Sequence, residues 1–117
     1  MAIASVLLVA VAVVALTGKP VGVARADVLP ETTAVLGERD QKVYVVEWSD
    51  FQCPACKAAQ PAVDEMLKKY GDKIVFGYRN FPLQQHEWAM LAAQAAEAAK
   101  DQGKFWEMHD YLFSQES

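Results

Sequence analysis

The sequence has little of what several common function classes need. It contains only two cysteines and two histidines among 117 residues, and no basic stripe. After residue 26 it carries nine Lys and Arg against 15 Asp and Glu, a net charge of −6. Because nucleic acid is bound through basic surfaces that neutralise phosphates, this deficit argues against a nucleic-acid partner. The chain also lacks internal repeats and low-complexity tracts, and its length suits one small domain with a single core.

The first 26 residues lack acidic side chains and contain one apolar run. Residues 2–16 read AIASVLLVAVAVVAL, which as a helix spans about 22 Å, less than a bilayer core of about 30 Å. This length is typical of a signal peptide, and Ala24-Arg25-Ala26 matches a small-x-small cleavage pattern. Since no basic region precedes the run, we keep two interpretations of residues 1–26, a signal peptide or an N-terminal membrane anchor through residues 2–16. Both predict export to the periplasm or cell envelope.

A strand, a helix and a second strand follow a segment without periodicity. We interpret residues 27–40 as a linker with room for one short strand. From residue 42, KVYVVEWSDF has the near-continuous apolar character of a central strand covered on both faces. Residues 53–70 have helical spacing, and KIVFGYRNF at residues 73–81 is again a strand. This order predicts a right-handed parallel βαβ unit over residues 42–81.

Two helices are predicted after Pro82. The first covers residues 86–102, with an apolar stripe that includes Trp88 and Leu91, and the second covers residues 104–114. Aromatic residues at helical spacing are more often core than ligand groove, so we assign to the core Trp88, Phe105, Trp106 and Phe113. For both histidines, His86 and His109, we expect a surface or capping role rather than acid–base catalysis.

The two cysteines lie at positions i and i+3 in the segment Cys53-Pro54-Ala55-Cys56. On a helix this spacing puts both on one face, close enough for their sulfurs to meet. Cys53 is predicted to lie at the helix N-terminus, where free backbone N–H groups stabilise a thiolate and lower the pKa of the thiol. We therefore predict a redox pair.

Three other interpretations of the cysteines stay open. A zinc site needs four ligands, and the only histidines, His86 and His109, lack finger-like spacing. A structural disulfide closing so short a loop constrains the unfolded chain little. The third alternative is a pair of unreactive buried thiols. We predict neither a metal nor another cofactor.

Glu47 is an acidic residue within an otherwise apolar strand, six residues before Cys53. It lies at a solvated strand end or it is buried beneath the redox turn. In the buried case, desolvation raises the pKa of its carboxyl and suits it to exchange a proton with Cys56.

Taken together, VVEWSDFQCPAC, KIVFGYRNFPL and AAQAAEAAKDQGKFWEMHDYLF resemble the DsbA-like thiol:disulfide oxidoreductases of the thioredoxin superfamily. The resemblance covers about residues 42–113 and implies an α/β, thioredoxin-like fold over residues 41–117, with a helical insertion from residue 83. It implies that Cys53 attacks, that Cys56 resolves, that Glu47 is the buried acid, and that Pro54 and Ala55 form the redox loop. The implied partners are protein or peptide thiols and disulfides, and a redox partner protein that reoxidises or reduces the pair.

The chain departs from this family in two places. Pro54-Ala55 lacks the histidine that strongly oxidising members carry between their cysteines. The sequence also reaches only the helical insertion, without a counterpart of the family's cis-proline loop, so we expect a C-terminally truncated form. We predict thiol:disulfide exchange on exported proteins in either direction. The alternatives are a noncatalytic, envelope-tethered binding or chaperone module with structural cysteines, and a metal-handling protein.

Overall fold

A computed structural model describes residues 22–115 of the chain. Its elements follow in the order α1, β1, β2, α2, β3, α3 and α4. The helices are α1 (Arg25–Val28), α2 (Pro54–Tyr70), α3 (Ala89–Lys100) and α4 (Phe105–Ser114), and the strands are β1 (Ala34–Leu36), β2 (Val43–Ser49) and β3 (Ile74–Asn80). The predicted apolar run at residues 2–16 lies outside the described residues. Within the described part, no helix is both long and apolar enough to cross a membrane.

The three strands form one mixed sheet in the order β1-β3-β2. β2 runs parallel to β3 from the pair Val43 and Ile74 to the pair Ser49 and Asn80. Because α2 connects these two strands, the predicted parallel βαβ unit is confirmed. β1 pairs antiparallel with the other edge of β3.

The prediction that β2 is a central strand covered on both faces is wrong for the described residues. β2 is an edge strand there, and along it only Ser49 is buried. β3 is the central strand instead, with its first five residues buried. Apolar composition alone does not distinguish these two positions, because both strands are rich in β-branched and aromatic residues.

Helix α2 begins at Pro54, whose fixed φ and missing N–H suit the first helical position. It ends at Tyr70, and the Gly71 N–H donates to the Leu67 carbonyl at 2.8 Å. Pro61 lies inside the helix. None of its side chains is buried, and its apolar residues Cys56, Val63, Met66 and Leu67 are only half-buried. The helix therefore contributes less to the core than its sequence pattern suggests.

The core lies between β3, the loop after β2 and the two C-terminal helices. Its buried cluster consists of Phe51, Tyr78, Ala96, Phe105 and Phe113. Helix α3 turns alanines toward this core, with Ala89, Ala93, Ala96 and Ala99 buried. These small side chains allow close approach, so the buried face differs from the predicted stripe, whose Leu91 is exposed. Phe105 and Phe113 are core residues as predicted, and Trp106 is partly buried against the cluster.

Trp88 was predicted to be a core residue, and the structure contradicts this, because 57% of it is exposed. Helix α3 starts at Ala89, not at residue 86, so Trp88 precedes the first helical turn. The face on which a residue lies depends on where its helix starts, and helix ends are the hardest feature to read from sequence.

The segment interpreted as a linker contacts the sheet at several points. Leu29 is buried, and a Cβ added at Gly77 would lie only 2.3 Å from its Cδ1. The Arg79 guanidinium donates to the Asp27 carbonyl at 2.9 Å, and β1 supplies the short strand for which the sequence left room. The domain boundaries and the cleavage site at Ala26 stay predictions.

Candidate functional site

The two cysteines lie where strand β2 passes into helix α2. After Ser49, residues 50–52 form a tight turn in which the Cys53 N–H donates to the Asp50 carbonyl at 3.1 Å. Cys53 is the N-cap of α2, with extended backbone angles, and the Lys57 N–H donates to its carbonyl at 3.0 Å. Both cysteines, Cys53 and Cys56, are free thiols and half-buried. The predicted placement of Cys53 at the helix start is thus observed.

The pKa of the Cys53 thiol is lowered below its usual value. The Cys56 backbone N–H and then the Cys56 thiol donate to the Cys53 sulfur, and they are the leading causes. Partial burial opposes them, the Ala55 N–H adds to the lowering, and the negative charge of Asp50 raises the pKa. These donors stabilise a thiolate, the form of sulfur that attacks disulfides.

Glu47 lies on β2, and its side chain is half-buried. Its Oε1 accepts a hydrogen bond from Gln60 Nε2 at 2.9 Å, and Gln60 also lies 3.5 Å from the Cys56 carbonyl. The other oxygen, Oε2, is buried and has no hydrogen-bond partner among the described residues. The carboxylate therefore connects, through Gln60, to the helical turn that carries Cys56.

Two further buried polar groups accompany Glu47. Tyr78 on β3 is buried, and both its hydroxyl and that of Ser49 lack a hydrogen bond of regular geometry within the described part of the chain. Burial raises the pKa of Tyr78 well above its usual value, and the nearby charges of Glu47, Cys56 and Asp50 add to the rise. Tyr78 therefore stays a neutral phenol at physiological pH. Tyr78 is thus a buried polar group close to Glu47, Cys56 and Asp50, and the sequence analysis did not identify it.

Asp50 is the main residue that sequence reasoning missed. Only 2% of it is exposed, yet it is a charged side chain three residues before Cys53. Its Oδ1 accepts the Gln52 N–H at 2.8 Å, and its Oδ2 accepts the Leu83 N–H at 2.9 Å. The His86 Nδ1 lies 2.7 Å from the same Oδ2. An acid followed two residues later by its amide partner is an Asx-turn pattern, which was the available local indication.

The pKa of Asp50 reflects two opposing effects. Burial raises it, but hydrogen bonds from the Leu83 amide, the His86 ring and the Gln52 amide together lower it below its usual value. Asp50 is therefore ionised, and because a carboxylate only accepts, the His86 Nδ1 must carry the shared proton.

Neither histidine has the predicted role. His86 is not on helix α3, and its half-buried ring binds Asp50 in the turn that follows β3. His109 on α4 is 5% exposed and contacts a set of aromatic rings, namely Phe51, Tyr78, Phe105, Trp106 and Phe113. Its Nδ1 bonds to the exposed Asp110 at 2.9 Å. The prediction of a surface or capping role for His109 is wrong, because its helix face packs on Phe51 and Tyr78.

Within residues 22–115, no group of three or more His, Cys, Asp or Glu side chains is arranged to hold a metal ion. Of the two acids near the cysteines, Glu47 bonds to Gln60 and Asp50 bonds to His86. The arrangement suits proton and disulfide chemistry at sulfur.

Comparison with known proteins identifies the family. The family model described as Thioredoxin matches residues 30–117. The chain belongs to the thioredoxin superfamily, in its DsbA-like family. This confirms the resemblance and the thioredoxin-like α/β fold. A relative from Salinispora tropica, named Na(+)/H(+) antiporter NhaA 3, is 48% identical over 86 residues. That match covers 73% of this DsbA-like chain and 13% of the relative.

Three bacterial proteins with solved structures share this fold. A thioredoxin-like oxidoreductase from Silicibacter pomeroyi is 30% identical with a TM-score of 0.72, over 81% of this chain and 54% of that one. A periplasmic thioredoxin-like protein from Salmonella enterica is 23% identical with a TM-score of 0.67, over 78% of this chain and 53% of that one. The thiol-disulfide exchange protein alpha-DsbA2 from Wolbachia pipientis is 22% identical with a TM-score of 0.69, over 80% of this chain and 50% of that one. The chain thus spans about half of each.

Proposed function

We propose that this chain is the redox-active part of a thiol:disulfide oxidoreductase, with Cys53 as the attacking and Cys56 as the resolving cysteine. The observation that carries the proposal is the position of Cys53 at the start of α2, where the Cys56 N–H and thiol lower its pKa. Membership of the DsbA-like family supports it. Substrates are protein or peptide thiols and disulfides, and no cofactor is needed, because both electrons reside in the sulfur pair.

In the oxidising direction, a substrate thiolate attacks Cys53 of the Cys53–Cys56 disulfide. The disulfide bond breaks, a substrate–Cys53 bond forms, and Cys56 leaves as a thiolate that takes up a proton. A second substrate thiolate then attacks the substrate sulfur and releases Cys53 as a thiolate. The substrate gains a disulfide and loses two electrons to the protein. Cys53 is a good leaving group for the second step because its thiolate is stabilised.

In the reducing direction the same bonds form and break in reverse. Cys53 attacks a substrate disulfide, and Cys56 must lose its proton before it can resolve the mixed disulfide. We assign the acceptance of this proton to Glu47, which connects through Gln60 to the turn of Cys56. The carboxylate can take this proton when it comes within hydrogen-bond reach of the Cys56 sulfur, directly or through one water.

The site of action that we propose is the periplasm or cell envelope, where substrate thiols become oxidised. The Salmonella structure of the same fold is described as periplasmic. We further propose a redox partner protein that regenerates the active form of the pair, and attachment or targeting through residues 1–26. The match to the antiporter-named relative covers only a small part of that protein, so we propose redox chemistry and not ion transport for this chain.

The test is capture of a mixed disulfide. The reduced chain is mixed with oxidised glutathione, and adducts are counted by intact mass. The Cys56→Ala variant should accumulate one glutathione on Cys53, because no second cysteine resolves it. The wild type should pass on to its intramolecular disulfide, and the Cys53→Ala variant should react slowly.

Equal adduct formation by the two variants would sink the assignment of Cys53 as the attacking cysteine. Failure of the wild type to form its disulfide would favour a noncatalytic binding module with unreactive cysteines. Zinc retained at one ion per chain, and lost in Cys53→Ala, would favour metal handling instead.

The direction of exchange follows from the reduction potential of the pair. The chain is equilibrated in graded glutathione buffers, and free thiols are trapped by alkylation. A value near about −120 mV would indicate a disulfide donor, and one near about −270 mV a reductase or isomerase.

A further inference from the structure

A hydrogen-bonded pair outside the CxxC segment, Asp50 and His86, lies close to the nucleophile Cys53. Asp50 is fixed by three partners that leave neither oxygen free, the amides of Gln52 and Leu83 and the ring of His86. The Cys53 N–H in turn donates to the Asp50 backbone carbonyl at 3.1 Å. A change in the position of Asp50 therefore moves the acceptor of the Cys53 N–H.

The same pair ties the redox turn to the segment that leads into the C-terminal helices. Leu83 and His86 both bind Asp50 Oδ2, and the Trp88 N–H donates to Gln52 Oε1 at 2.7 Å. These contacts join residues that are more than 30 positions apart in sequence. The turn that presents Cys53 is thus held from both sides, by β2 and by the segment after β3.

The charges of the pair act on Cys53 in opposite senses. The negative Asp50 carboxylate disfavours a thiolate at Cys53. The His86 ring donates a hydrogen bond to that carboxylate, which offsets part of the effect of its negative charge on Cys53. The Pro54-Ala55 dipeptide contains no histidine, so in the described part of the chain the histidine nearest to the redox turn acts through Asp50.

We infer that Asp50 and His86 form a positioning pair that adjusts the oxidising strength of the Cys53–Cys56 disulfide. This inference rests on the proposed redox function and concerns its regulation. Asp50 makes the disulfide a weaker oxidant, because its negative charge destabilises the Cys53 thiolate that forms on reduction. His86 restores part of that strength by balancing the charge. The Asp50 carboxylate bonds to two backbone amides and to the His86 ring rather than to a cysteine sulfur, so both residues act indirectly on Cys53.

Substitutions of the two residues are therefore expected to shift the pKa of Cys53 in opposite directions. Asp50→Asn removes the charge, which should lower the pKa of Cys53 and make the disulfide more oxidising. His86→Ala leaves the carboxylate unbalanced, which should raise that pKa and make the disulfide less oxidising. His86→Gln, whose amide still donates to the carboxylate, should fall between His86→Ala and the wild type. A purely structural role would give shifts of one sign, since both kinds of change loosen the same turn.

The experiment measures two quantities on the 117-residue chain and its variants. They are the equilibrium constant with glutathione and the pH profile of Cys53 alkylation. The equilibrium constant for oxidation of glutathione by the disulfide should change by about threefold or more. It should rise in Asp50→Asn and fall in His86→Ala. Asp110→Asn is the matched control, because it removes the carboxylate of the second His–Asp pair, which bonds to His109. It should leave both quantities unchanged.

Shifts of the same sign in Asp50→Asn and His86→Ala would overturn the inference, as would unchanged values in both. If Asp50→Asn fails to fold, as judged by circular dichroism, the two His86 variants decide, because Asp50 keeps its amide partners in them. An unshifted alkylation profile in His86→Ala then refutes the pair. Neither quantity requires turnover of a protein substrate. A chain without exchange activity would thus count against the proposed function while the Cys53 pKa still tested this inference.

Discussion

Replacing Glu47 with leucine should stabilise the fold while slowing disulfide exchange. Its Oε2 is buried without a partner within the described residues, and an unsatisfied buried polar group costs about 1–3 kcal/mol. The substitution also removes the hydrogen bond from Gln60 Nε2, which contributes about 0.5–1.5 kcal/mol and whose donor can turn to solvent. The balance favours the leucine variant by about 1 kcal/mol.

The exchange rate should move in the opposite direction. If Glu47 accepts the proton of Cys56, its removal takes away a general base, a contribution of about 10²-fold or more. The loss should appear in the step in which Cys56 resolves the mixed disulfide. The first attack by Cys53 should change little, because its thiolate is stabilised by Cys56 and Ala55. A gain in stability together with a loss in rate marks a group retained for function.

The assay pairs urea unfolding, followed by tryptophan fluorescence, with stopped-flow measurement of mixed-disulfide formation and resolution. Glu47→Gln is the matched control, since it keeps the shape and the contact with Gln60 but loses the charge. It should slow resolution as Glu47→Leu does. A leucine variant that loses more than about 1 kcal/mol would refute the reasoning, because it would show that Oε2 has a stabilising partner. An unchanged resolution rate would remove the proton-accepting role.

Three other outcomes test separate parts of the site and the core. In the reduced chain Cys53 should be alkylated faster than Cys56 at neutral pH, since its pKa is lowered, and equal rates would contradict this. The pKa of Asp50 is lowered on folding, so its stabilising contribution is present above its unfolded pKa of about 3.9 and is lost as the pH falls through the lower folded value. Thermal unfolding of the wild type should record that loss, and a similar acid loss in Asp50→Asn would assign it elsewhere. Gly77→Ala should cost about 1–3 kcal/mol by overpacking against Leu29, and in a double-mutant cycle Leu29→Ala should be less costly in that background; additive effects would refute the contact.

The features that were predicted correctly depend on neighbours along the chain. The spacing of Cys53 and Cys56, Pro54 at the helix start and Gly71 after its end are local signals, and they placed helix α2 to within a residue. The strand composition on both sides of that helix left one allowed arrangement, a parallel βαβ unit. The motif together with this order also identified the DsbA-like family.

The features that were missed depend on which elements pack against each other. Nothing near Asp50 in sequence indicates its contact with His86, because the two residues meet only when β3 returns the chain beside β2. His109 looks like a surface residue from its polar neighbours, and its burial follows from the docking of α4 on Phe51 and Tyr78. Trp88 is exposed because α3 starts at Ala89, three residues after the predicted start, and so does not include Trp88.

The sequence by itself determined the redox motif, its helix and the strands that flank it, since hydrophobic period and capping act over a few residues. Only the tertiary structure decided that β3 is the central strand of the described sheet, that Tyr78 lies beneath the site, and that Asp50 is paired with His86. Burial, charge pairing and pKa depend on distances through space. Those distances are fixed only when the layers of the fold pack together.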